Sequence, residues 1–89
     1  MDDGSRVPAS EERLVAEFQE FLRVADRLAM PDSERLGVLG LSREAWWGLV
    51  QRPALAARLF TSANRRRLSY VLPLMRRSLA NLDAPAAAS

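Results

Sequence analysis

The sequence predicts an all-α fold, a small helical bundle containing a helix-turn-helix. Three observations carry that prediction. Apolar residues recur at helical spacing in two long segments: Leu14, Phe18, Phe21, Leu22, Ala25, Leu28 and Ala29, then Leu68, Val71, Leu72, Met75, Leu79 and Leu82. No segment alternates apolar and polar residues as a half-buried strand would. Between the long segments lies the run from Leu36 to Leu49, two short helical stretches joined by a tight glycine-containing turn.

The elements follow in order. Met1 to Ala9 reads as a flexible polar tail. Ser10 is an expected N-cap, and Glu11 and Glu12 suit the positive end of the helix dipole. The first helix is expected over 10–29, stopped by Met30-Pro31. Asp32 is the expected cap of a helix over 33–39. The turn is Leu39-Gly40-Leu41-Ser42, with glycine free to take the left-handed backbone of a sharp reversal. Ser42 then caps a helix over 43–51, closed by Pro53, in which Trp46 faces the core and Trp47 the solvent near Arg43. Gly37 and Gly48 each weaken their helices by roughly 0.5–1 kcal/mol relative to Ala.

Ala54 to Phe60 suits another short helix. Thr61 or Ser62 caps the last one, expected over 62–82, with Pro73 inside it as a candidate kink. Residues 83–89 read as a second flexible tail, leaving 10–82 as one domain.

Composition removes several kinds of chemistry. The 89 residues include no cysteine and no histidine, so thiol chemistry, disulfides, the usual zinc sites and imidazole catalysis are out of reach. No Gly-rich phosphate loop is present, and Ser42 has no histidine to activate it, so it reads as a cap and not a nucleophile. A non-enzymatic protein without cofactors is expected. No apolar run approaches the ~18 residues of a membrane span, and the acidic N-terminus is unlike a signal peptide, so a cytoplasmic location is the simplest expectation.

All 13 basic residues are Arg, which with no Lys or His lifts the isoelectric point to 10.4 at a net charge of only +2. That value alone is no mark of nucleic-acid binding. The distribution says more. Residues 1–44 hold ten acids and six arginines, net −4, whereas residues 45–89 hold Asp83 and seven arginines, net +6.

The arginines carry the functional case. Arg43 opens the helix after the turn, where side chains of a recognition helix reach base edges; it can bond guanine O6 and N7 together, and Glu44 can accept from cytosine N4. Gln51 and Arg52 lie at the far end, closer to phosphates. Arg65, Arg66 and Arg67 sit at the cation-disfavoured start of the last helix, which implies an anion nearby. DNA phosphate is one such anion; the acidic first helix, within or between chains, is another. Trp47 can contact a sugar-phosphate edge or anchor a protein interface, or both tryptophans can pack in a small core.

Leu39-Gly40-Leu41-Ser42-Arg43, followed by Arg67-Leu68-Ser69-Tyr70-Val71-Leu72, resembles the Xre-like helix-turn-helix region of the Xre/MbcA/ParS antitoxins. The resemblance covers Arg35 to Leu82 through short, degenerate motifs. It implies dimerisation, operator binding and autorepression, with Ser42 and Arg43 at the DNA-facing start of the recognition helix. Trp46-Trp47-Gly48 departs from that family's Trp-x-Arg/Lys stretch. The family's toxin-binding domain has no counterpart in these residues, so a toxin partner is left open. The expected function is therefore a small transcriptional regulator binding duplex DNA as a homodimer; the alternative is a helical protein-interaction module without DNA binding.

Overall fold

The computed structural model describes residues 9–83, and every regular element among them is helical. In chain order these are α1 (Ala9–Arg27), α2 (Asp32–Leu39), α3 (Arg43–Gln51), a 3-10 turn (Pro53–Leu55), α4 (Ala56–Leu59) and α5 (Ser62–Asp83). The all-α bundle expected from the apolar spacing is therefore what the chain forms. The two tails expected at 1–9 and 83–89 fall outside the described residues, except that Ala9 and Asp83 belong to helices.

Phe18 is the centre of the core. Its ring lies 6.2 Å from Phe21, 6.1 Å from Trp46 and 5.4 Å from Phe60, the last two edge to face. Around these rings close Leu14, Val24 and Ala25 of α1, Leu39 and Leu41 of the turn, Leu49 of α3, Ala56 of α4, and Leu68, Leu72 and Met75 of α5. Helix α1 packs against α5 and α4, α2 against α5, and α3 against the 3-10 turn. Trp46 is 1 % exposed, and its indole N–H finds no acceptor among the described residues.

Several sequence expectations need correction. Ser10 lies inside α1 and does not cap it. That helix ends at Arg27 because Ala29 turns left-handed (φ 58°), with Ala29 N–H bonding Asp26 O at 3.1 Å and Met30 N–H bonding Ala25 O at 3.0 Å. Asp32 is already the first helical residue of α2, and extended Pro31 precedes it without a side-chain cap. Val24 joins the α1 stripe in place of exposed Ala29, and Leu82 is 64 % exposed at the end of α5. The segment expected as one helix over 54–60 is instead a 3-10 turn that starts at Pro53 and one turn of α-helix, with Phe60 already extended. Helix α5 continues through Pro73, whose ring nitrogen removes the bond that Ser69 O would otherwise accept.

Ion pairs hold α1 to the rest. Arg76 forks onto both carboxylate oxygens of Glu20 at 2.7 Å, and Arg27 reaches Asp83 at 2.9 Å. Arg35 joins Asp26 at 2.9 Å and donates to Met30 O at 2.8 Å, fastening α2 to the end of α1. Among the described residues no helix is long and apolar enough to cross a membrane.

Candidate nucleic-acid interface

The turn between α2 and α3 is built as its residues require. Gly40 is left-handed (φ 72°, ψ 33°); its N–H bonds Gly37 O at 3.2 Å, and Leu41 N–H bonds Leu36 O at 2.9 Å. This paired arrangement satisfies two carbonyls at the end of α2. Leu41 goes into the core, and Ser42 is extended with its Oγ accepting from Ala45 N–H at 3.1 Å. The Ser42 cap expected from sequence is thus present.

Within α3, Trp46 and Leu49 point inward. The opposite side carries Arg43, Glu44, Trp47, Val50 and Gln51, all exposed and, at about 100° per residue, on one face. Trp47 is 51 % exposed and borders, with Arg43, Leu36 and Asp32, a small cleft of about 150 Å³. Four residues singled out by sequence therefore share this face, and Val50 joins them without having been singled out. Arg52 follows at the end of the helix, exposed, with its N–H on Gly48 O.

The arginine cluster comes to the turn from α5. A Cβ added to Gly40 would meet Arg67 Nε at 3.1 Å and Arg67 Cδ at 3.2 Å, so this side chain lies directly across the turn. Arg66 and Arg67 are exposed and Arg65 is half-buried. None of the three pairs with an acid among the described residues, and neither do Arg43 and Arg52. The carboxylates of α1 that form ion pairs, Glu20 and Asp26, go to Arg76 and Arg35 instead. Pairing of the cluster with α1 inside one chain is therefore not what occurs among the described residues.

Sequence reasoning missed Asn64, which fixes this geometry. Its Nδ2 donates to Leu39 O at 2.7 Å and Gly40 O at 3.3 Å, while its Oδ1 accepts from Thr61 N–H at 2.9 Å and the Thr61 hydroxyl at 3.0 Å. Asn64 N–H in turn donates to Thr61 Oγ1 at 3.1 Å, making Thr61 the cap of α5. A polar residue three positions after a capping Thr was the available signal, being the spacing of a reciprocal cap. One buried amide thereby ties the turn to the helix bearing the arginines.

The described residues hold no cluster of His, Cys, Asp and Glu able to bind a metal ion. No family model matches the chain, and neither curated proteins nor solved structures gave a match.

Proposed function

We propose that this protein binds duplex DNA through α3 and acts as a non-enzymatic regulator of transcription. The observation that carries the reading is the shared outward face of Arg43, Glu44, Trp47 and Gln51, headed by Arg67, which lies over the turn and pairs with no acid among the described residues. A helix so exposed on one side can enter a major groove. Arg43 then reaches guanine O6 and N7, Glu44 meets a cytosine amine, and Trp47 packs on the sugar edge. Ser42, Gln51, Arg52 and Arg65 to Arg67 serve the phosphates, which position the helix without reading sequence. The likeness to antitoxin helix-turn-helix regions suggests two copies on a symmetric operator, with their α3 helices roughly 34 Å apart, in the cytoplasm.

A second reading is favoured by Trp47 and Val50, which make the same face partly apolar. An α3 that docks a protein would use those two side chains and leave DNA alone.

Fluorescence anisotropy with the gene's own promoter fragment and a random duplex, at two salt concentrations, separates the readings. The DNA reading expects tighter binding to the promoter, and Arg43→Ala should lose about 1–3 kcal/mol there while relaxing preference. Binding no tighter than ~100 μM to either duplex at moderate salt defeats it.

A further inference from the structure

On the side of the turn away from α1, helices α2 and α5 leave a groove of about 610 Å³. Its apolar lining is Val38, Ala63 and Val71, and its polar lining is Arg66, Arg67 and Tyr70. Tyr70 is 74 % exposed, and Leu74, one turn further along α5, is 43 % exposed, so the apolar surface continues down the helix. Helix α5 holds five arginines and, until its last residue Asp83, no acid.

The chemistry of this surface selects its occupant. A second copy presenting the same surface would set arginine against arginine. A duplex could use the two guanidinium groups, but its backbone offers only sugar edges between charged phosphates, too little apolar surface to cover Val38, Val71, Tyr70 and Leu74 together. A helix with an apolar stripe flanked by carboxylates satisfies both parts: the stripe fills the groove, and the carboxylates fork onto the arginines. We infer that the α2/α5 groove docks an acidic amphipathic helix of a protein partner. This inference does not rest on the DNA reading, whose base-contacting residue, Arg43, lies outside the groove; the two share only Arg66 and Arg67, for which the partner helix and the phosphates compete.

The test is backbone amide NMR of the full chain. The probe is a synthetic amphipathic peptide with Leu at i, i+3, i+4 and i+7 and flanking Glu; a scrambled peptide of the same composition and a random DNA duplex run beside it. Saturable shifts at Val38, Ala63, Tyr70 and Val71 are expected with the ordered peptide and not with the scrambled one, and the peptide should displace any duplex held at Arg66 and Arg67. Arg66→Glu, which leaves the Arg67 contact with Gly40 in place, should weaken the peptide at least tenfold. A peptide in which one flanking Glu is replaced by Lys should recover part of that loss, since Arg67 still takes a remaining carboxylate. Tyr70→Ser, at an exposed position, should weaken both peptides while leaving the melting temperature unchanged. The inference falls if the ordered peptide shifts nothing at 1 mM or does no better than the scrambled one. It falls equally if these amides respond to the duplex alone, or to protein concentration alone, which would assign the groove to DNA or to a second copy. Loss of promoter binding in Arg43→Ala, with peptide binding intact, tests the DNA reading separately.

Discussion

Ala29 and Gly40 perform the same task with different side chains. Both end a helix in the left-handed region with the same pair of backbone bonds, yet only glycine is free of the Cβ penalty there. Ala29→Gly should therefore stabilise the protein by about 0.5–1 kcal/mol, read as a rise in thermal midpoint, because relief of strain outweighs the added freedom of the unfolded chain. Asn64 is the opposite case, a residue already well matched to its site. Replacing it by Ala leaves Leu39 O and Thr61 N–H without their side-chain partner, and should cost about 1–3 kcal/mol in chemical denaturation. Gly40 was legible because glycine between two apolar runs has few other uses. Ala29 was not, since alanine is a good helix former and carries no mark of a left-handed backbone. Asn64 was hidden for a related reason: its carbonyl partners come from residues 24 and 25 positions away.

At the level of elements, periodicity revealed the long helices well and their ends poorly. The apolar stripe of α1 continues past Arg27 into Leu28, so spacing alone extended the helix where Ala29 reverses it. Ser10 and Asp32 are good capping types, but a capping residue also needs an extended backbone, which Pro31 takes in place of Asp32. The contact between α1 and α5 carries a pH signature. Hydrogen bonds from Arg76 hold the Glu20 carboxyl below the ordinary glutamate range, with desolvation opposing them and the charges of Arg76 and Arg23 adding to the effect. A carboxyl lowered in the native state contributes stability above its unfolded pKa and loses it as pH falls through the native value. The stability difference between the natural chain and Glu20→Gln should thus be present at neutral pH and vanish at the acid end of the carboxylate range. It should be small throughout and shrink further in high salt, because both partners are substantially exposed. Thermal melts of both proteins across pH check this.

For the whole molecule, the charge asymmetry of the sequence becomes a division of labour. Acids of the first half pair with Arg35 and Arg76, and the arginines of α3 and of the start of α5 keep no such partner among the described residues. If those arginines meet phosphates, the logarithm of the DNA association constant should fall linearly with the logarithm of salt concentration. Arg66→Ala or Arg65→Ala should then flatten that slope by about 0.9 for each phosphate no longer neutralised, on promoter and random duplex alike. Anisotropy titrations over a salt series give the slope directly. The residues of this candidate interface were largely legible, because a turn glycine, a capping serine and a cluster of cations at a helix start are local signals. Their convergence was not. That Arg67 crosses Gly40 is decided by how α5 packs on α2, and no spacing along the chain reports it.

The Asn64 amide has a consequence in time as well as in space. By bonding Leu39 and Gly40 while completing the cap of α5, it should couple the opening of the reversal before α3 to that of the first turn of α5. In hydrogen exchange, the amides of Leu41, Asn64 and Arg65 should then show one common opening free energy, and Asn64→Ala should separate it into two. A reversal bound in this way ties the backbone that bears Arg43 to the helix that bears Arg67 before any ligand arrives, so a ligand has only the two exposed side chains left to order.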